Sequence, residues 1–327
     1  MLSRPRRNRI SPEIRGMIRE TTLSAEHLVW PLFVQEGQKR ETPIGSMPGQ
    51  SRLSIDLLVE RAKAARDVGV PAVALFPALD DTLKDARGKE SANPSGLLQR
   101  AVTALKTHVP HLVVITDVAL DPYSSDGHDG VLIEDRIDND VTVPILAEMA
   151  VAQAKAGADI VAPSDMMDGR IGAIRLALDE AGFDQVAICS YCVKYASGFY
   201  GPFREALDSA PRSGDKKTYQ MDPANVREAL REVALDEAEG ADYLLVKPGL
   251  PYLDVIRFVR EHTSLPVVTY HVSGEYAMLK AAAQNGWLDY DRCLLETLLA
   301  FRRAGADLIF TYAAVEAARL LRSGKVG

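Results

Sequence analysis

One repeated phrase constrains the fold of this chain more than any other feature. Val68-Gly69-Val70-Pro71-Ala72, Ala156-Gly157-Ala158-Asp159, Glu239-Gly240-Ala241-Asp242 and Ala304-Gly305-Ala306-Asp307 each close an amphipathic stretch on glycine and open an apolar run. Glycine just past a helix is the common left-handed cap, so each phrase reads as a helix end followed by a strand start. Eight apolar runs recur: Leu28–Val34, Ala72–Phe76, Leu112–Val118, Asp159–Ser164, Val186–Cys192, Asp242–Val246, Pro266–Val272 and Asp307–Tyr312. Helical stretches lie between most of them. In Ser54–Val68, Leu57, Leu58, Ala62 and Ala65 return at about 3.6 residues with Glu60, Arg61 and Lys63 opposite, and Ser54 stands where an N-cap belongs. Val143–Ala156, Ile171–Ala181, Val226–Glu239 and Arg292–Ala304 behave similarly. Near-continuous apolar strands are covered on both faces, which is the mark of a parallel sheet. Eight such units predict a (β/α)8 barrel, and 327 residues suit a single one. A doubly wound open sheet is the runner-up, but no dinucleotide glycine fingerprint follows the first run.

Active sites of such barrels lie at the carboxyl ends of the strands. The polar residues there are Asp117 and Asp121 (third run), Ser164 and Asp165 (fourth), Lys194 (fifth), Lys247 (sixth), Ser273 (seventh) and Tyr312 (eighth). The two lysines point to the chemistry. Lys247 closes the apolar run Tyr243–Val246, and Pro248 and Gly249 then stop the strand. An unperturbed lysine has a pKa of about 10.4, which an apolar site and a second cation both lower. Lysines ending adjacent strands about 4.8 Å apart disfavour each other's charge. Bringing one to about 7 needs roughly 4–5 kcal/mol of differential interaction, within reach of burial plus a like charge. A neutral amine there attacks a ketone or aldehyde to form a Schiff base. The alternative is one functional lysine, the other being a phosphate or carboxylate clamp. Two long connections flank these ends: the Asp-rich Asp121–Asp140, and Tyr195–Asp222 with Arg204, Arg212, Lys216 and Lys217. The second reads as a lid whose cations suit a carboxylate substrate.

Charge and cysteine usage narrow the class. A net charge of −7 argues against general nucleic-acid binding. Three cysteines give no disulfide framework, which predicts a reducing cytoplasm. No run approaches about 18 apolar residues, so no membrane span is expected, and the amino end lacks an apolar signal core. Arg4, Arg6, Arg7 and Arg9 cluster in a segment, 1–25, that reads as an arm, solvated or lying on a neighbouring subunit. Nucleic-acid contact and organelle targeting are the other readings of that cluster. The barrel domain is expected over 26–327.

Six phrases, in order, resemble the porphobilinogen synthase (5-aminolevulinate dehydratase) family. They are Asp165-Met166-Met167-Asp168-Gly169-Arg170, Lys194-Tyr195-Ala196-Ser197, Tyr200-Gly201-Pro202-Phe203-Arg204, Tyr219-Gln220-Met221, Val246-Lys247-Pro248-Gly249 and Val272-Ser273-Gly274-Glu275-Tyr276. The likeness runs from Arg6 to the last helix. It implies a homo-oligomer, an octamer or hexamer built from dimers, in which the arm embraces a partner. The implied reaction condenses two 5-aminolevulinate molecules to porphobilinogen with loss of two waters, without an organic cofactor, in tetrapyrrole biosynthesis. Lys247 matches the Schiff-base lysine of the propionate-side (P) site and Lys194 that of the acetate-side (A) site. Ser273 and Tyr312 match the P-site carboxylate contacts, and Arg204 and Lys216 the A-site clamp on the lid. Another Schiff-base barrel, such as an aldolase, would use one lysine and a phosphate site. A barrel that only binds would not need both lysines.

The metal pattern departs from the zinc-dependent members. Their three cysteines correspond here to Ala119, Asp121 and Asp129, so no catalytic zinc held by thiolates is expected. The chain resembles the aspartate-rich variant. Asp121 and Asp129 are left as Mg2+ or monovalent-cation ligands or as groups acting on the substrate amine, and Asp117 as a candidate for proton transfer. Glu232 matches a glutamate that binds an allosteric Mg2+ in many bacterial members. Cys189, Cys192 and His271 read as core, His128 stands near the predicted chemistry, and Trp30 and Trp287 read as packing.

Overall fold

The computed structural model describes residues 1–207, 209 and 211–324; positions 208 and 210 of the expected lid and 325–327 of the expected barrel domain lie outside the described residues. Eight strands form the barrel: β1 (Leu28–Gln35), β2 (Ala72–Ala78), β3 (Val113–Val118), β4 (Ile160–Pro163), β5 (Ala187–Lys194), β6 (Tyr243–Lys247), β7 (Val267–His271) and β8 (Leu308–Thr311). Each pairs in parallel with the next, and β8 returns to β1 with Leu28 opposite Ile309 and Val29 opposite Phe310. The sheet is closed, as a (β/α)8 barrel requires. Two short strands, Glu41–Pro43 and Ser51–Leu53, extend it beside β1.

The repeated phrase has a physical basis at both of its ends. Gly157 and Gly305 cap their helices at φ +106° and +116°, a region that side-chain-bearing residues rarely enter. The aspartate that follows pins the neighbouring strand. Asp159 accepts the Val114 N–H at 2.8 Å, Asp242 the Ile188 N–H at 2.7 Å and Asp307 the Val267 N–H at 2.9 Å. These bonds satisfy strand-start donors that no ladder partner reaches.

Some boundaries differ from the apolar pattern. Lys194 and Lys247 are the last residues of β5 and β6 rather than the first residues of the loops. Hydropathy reports burial, whereas a ladder needs only backbone groups, so a lysine can extend it. Ser54 is the N-cap of the helix Ile55–Asp67, but its hydroxyl donates to Asp56 and accepts the Arg40 N–H instead of capping. Trp30 donates its indole N–H to the Tyr312 carbonyl, while Trp287 is 76% exposed, contrary to the packing expected of it. A 3-10 turn (Pro5–Arg9) and a short helix (Pro12–Met17) precede the barrel and contribute no buried residue. No helix among the described residues is long and apolar enough to cross a membrane.

Candidate active site

The ladder sets Lys194 of β5 directly beside Lys247 of β6. Both side chains are buried, and both line one small cavity at the carboxyl end of the barrel. Four rings enclose the Lys247 amine, with centroids at 4.6 Å (Tyr270), 5.1 Å (Tyr200 and Phe203) and 5.2 Å (Tyr191). These rings come from β5, β7 and the lid. Desolvation, followed by the Lys194 charge, brings the Lys247 pKa down to about 7. A large fraction of this amine is therefore neutral at neutral pH.

Lys194 sits among acceptors. Its amine donates to the Ser164 carbonyl and lies 3.6 Å from Asp129. Asp129 also receives Lys216, the lid lysine, at 2.9 Å, and Asp121 stands 3.6 Å from the same ammonium. Burial pushes Asp129 upward, but Lys194 and Lys216 outweigh it and hold its carboxyl well below the usual range. Burial alone would lower Lys216, yet Asp121 and Asp129 keep it protonated. Removing one partner of a buried ion pair leaves an uncompensated charge, at a cost of about 3–5 kcal/mol. Asp129→Asn is accordingly expected to destabilise the fold by that amount, measured by denaturant unfolding.

The acidic side of the cavity is separately tuned. Burial, then Asp121, raise Asp117 to about 7, and its Oδ1 has no protein partner among the described residues. Burial likewise raises Asp121 against the pull of Lys216. Asp117 can thus release or accept a proton near neutrality.

The lid closes over these groups. Its helix Gly201–Leu207 hangs from Arg52, which donates to the Ala206 and Glu205 carbonyls, and Phe203 packs edge-on to Phe76. His128 latches the other end. The Asp129 N–H donates to the Tyr219 hydroxyl, which can then donate to His128 Nδ1, leaving Nε2–H for the Ser213 carbonyl at 2.9 Å. The cavity left beneath is about 30 Å³, room for water but not for a keto acid.

Of the expected residues, Lys194, Lys247, Asp117, Asp121, Asp129, Arg204 and Lys216 line this one cavity. Ser273 and Tyr312 lie just beyond its wall. Ser273 accepts the Phe203 N–H at 3.0 Å, and the Tyr312 hydroxyl bonds that of Tyr270 at 3.0 Å. Asp165 turns away to face Arg170 at 3.8 Å. Glu232 belongs elsewhere: with Asp168 and Glu228 it lines a separate cavity of about 970 Å³. His271 is core, bonded to Thr311 and lowered to about 4 by burial. Ser164, read from the sequence as a strand-end polar residue, lines the cavity. The roles of Tyr191 and Tyr270 had no separate sequence signal, because aromatic residues on buried strands read as packing.

Comparison with known proteins decides what this cavity belongs to. The Delta-aminolevulinic acid dehydratase profile matches residues 2–320. The chloroplastic enzyme of Glycine max is 59% identical over 320 residues, covering 97% of this chain and 77% of that protein. That of Physcomitrium patens is 59% identical over 328 residues, covering 100% and 76%. A crystal structure of delta-aminolevulinic acid dehydratase (porphobilinogen synthase) from Toxoplasma gondii ME49, in complex with the reaction product porphobilinogen, superposes with a TM-score of 0.96 at 54% identity, covering 98% of this chain and 91% of that one. The chain belongs to the delta-aminolevulinic acid dehydratase family. It is a hydro-lyase of porphyrin and heme biosynthesis, condensing 5-aminolevulinate to porphobilinogen.

One expectation changes for this dehydratase. The relatives' names place them in chloroplasts, which overturns the cytoplasmic expectation. The expectation rested on cysteine usage, and the three free thiols, two of them buried on β5, carry no address that separates the cytoplasm from a plastid. Among the described residues, no cysteine group is placed to hold zinc.

Proposed function

We propose that the dehydratase works through two Schiff bases, on Lys247 for the P-site 5-aminolevulinate and on Lys194 for the A-site molecule. The observation that carries this is the Lys247 amine, held near pKa 7 in an aromatic box beside a second buried lysine. The neutral Lys247 amine adds to the ketone of its 5-aminolevulinate, and loss of water leaves a C=N bond. Lys194 forms the second Schiff base in the same way after giving up its proton. The cationic nitrogen then draws electrons from the adjacent carbon, whose proton Asp117 is placed to accept. Ser273 and Tyr312 take the P-site carboxylate. Arg204 and Lys216 take that of the A site, Lys216 exchanging Asp129 for the substrate. The lid must open first, since about 30 Å³ admits neither molecule. Borohydride reduction in the presence of 5-aminolevulinate tests the reading: stable adducts are expected on lysine, and their absence would refute it.

Assembly and metal belong to the same proposal. The arm, residues 1–25, lies on a second copy in a homo-oligomer, which would cover the exposed Ile10, Met17 and Ile18. The Asp121–Asp129 pair receives the Lys216 ammonium, which occupies the position a monovalent cation would take. An allosteric Mg2+ fits Glu232 better. Burial and the nearby Asp236 push the Glu232 carboxyl upward, and Asp168 and Glu228 line the same cavity. Their carboxylate oxygens suit a Mg2+ that keeps several of its waters, since no three ligating residues converge on one point among the described residues. Glu232→Gln is expected to weaken calorimetric Mg2+ binding at least tenfold and to remove chelator sensitivity, with activity in chelator unchanged.

A further inference from the structure

Glu275 is a buried acid that none of these steps uses. It is 2% exposed, on the first turn of the helix Ser273–Gln284, and no ionic partner contributes to its pKa. Its carboxylate instead accepts three backbone N–H groups. Oε2 takes Val272 at 2.8 Å and Gly249 at 3.2 Å, while Oε1 takes Leu250 at 2.5 Å. Val272 immediately precedes Ser273, and Gly249 and Leu250 immediately follow Lys247-Pro248. One side chain therefore ties the turn behind one proposed substrate contact to the turn behind the other.

The sheet does not make this tie. Pairing between β6 and β7 ends at Val246 opposite Thr269, one residue short of Lys247. On its other side Lys247 is well held: it pairs with Lys194, and its carbonyl accepts the Tyr195 N–H at 3.0 Å. On the β7 side, side chains take over from the ladder. The Thr269 hydroxyl donates to the Val246 carbonyl at 3.2 Å, and beyond Lys247 the Glu275 carboxylate holds Gly249 and Leu250. The lid's Tyr200 hydroxyl donates to the Lys247 carbonyl at 3.2 Å. The turns are also pressed against their neighbours. A Cβ at Gly249 would meet Phe301 at 2.7 Å, and one at Gly274 would meet the Phe199 carbonyl at 2.5 Å. Neither turn has slack to find other acceptors. An ionised carboxylate accepts and never donates, which matches three fixed donors. A Gln amide must aim its NH2 at one of them.

We propose that Glu275 is a positioning residue for Schiff-base formation, its carboxylate fixing the Lys247 turn against the Ser273 turn. This carboxylate then bridges the segment carrying the amine that attacks the ketone and the segment carrying the hydroxyl that holds the substrate carboxylate. The inference rests on the lysine roles proposed above. Burial raises the Glu275 carboxyl to about 7 while the three N–H groups pull it down.

The test uses Glu275→Gln and Glu275→Asp in the full-length assembled enzyme, reading kcat, KM and the rate of borohydride trapping at Lys247 by peptide mass. Small displacements at a reacting pair cost about 100-fold in rate. Glu275→Gln is expected to lose about that much in kcat, to slow trapping in parallel, and to keep KM within about threefold and cooperative unfolding intact. Glu275→Asp, which keeps the charge, should recover part of the loss. A folded Gln variant within twofold of the parent in kcat and trapping would overturn the proposal. So would failure of both variants to fold, since the carboxylate would then be holding the barrel and not the lysine. Absence of a Lys247 adduct in the parent would overturn the Schiff-base reading and this inference with it; normal parent trapping with an unaffected Gln variant overturns this inference alone.

Discussion

Lys247→Met is expected to lower turnover by at least about four orders of magnitude and to abolish trapping at that position, as removal of a covalent nucleophile does. The amine in question is enclosed by Tyr191, Tyr200, Phe203 and Tyr270. Methionine has nearly the same length and fills that box with an apolar chain. Lys247 has no salt-bridge partner among the described residues, so an apolar chain of nearly the same length leaves no buried charge unpaired. A denaturant midpoint near the parent's is expected to separate the loss from unfolding. Steady-state turnover of 5-aminolevulinate and mass analysis of borohydride-treated protein check both parts. A Met variant with near-parental activity would remove Lys247 from the reaction.

Lys194→Met is expected to stop turnover to a similar extent while leaving Lys247 reactive, with a shifted pH response. The sign follows from the causes of the shift. Burial is the larger influence lowering Lys247, and the Lys194 charge is the next. Deleting that charge lets the pKa rise from about 7, while burial keeps it below the free-lysine value of about 10.4. Trapping needs the neutral amine, so its rate climbs with pH through the midpoint and levels off above it. The variant should therefore trap more slowly than the parent at pH 7 and approach it at higher pH. A midpoint that stays in place or moves down would show that the two amines do not sense each other.

Several features of the site were readable before any coordinates. Gly157, Gly240 and Gly305 mark helix ends because a left-handed cap is a local backbone requirement, and the apolar runs mark strands because burial is written in residue type. Adjacent strands ending on Lys194 and Lys247 follow directly, since a parallel barrel sets consecutive strands side by side. Other features had no local trace. The Gly-Ala-Asp aspartates looked like strand openers, yet they bond an N–H at the start of the neighbouring strand, on its first or second residue. Glu275 sat within a recognisable phrase but looked like an ordinary first-turn acid.

The sequence by itself determined the repeat, the barrel and the presence of two lysines at strand mouths, because backbone geometry and hydropathy act over a few residues at a time. Only the tertiary structure decided how Lys247 is tuned and which partners Lys194 meets. Asp129 meets Lys216 from 87 positions away, the rings around Lys247 arrive from three separate elements, and Glu232 falls into a different cavity altogether. A pKa depends on distances and on excluded water, and both arise only when distant loops close over the same space.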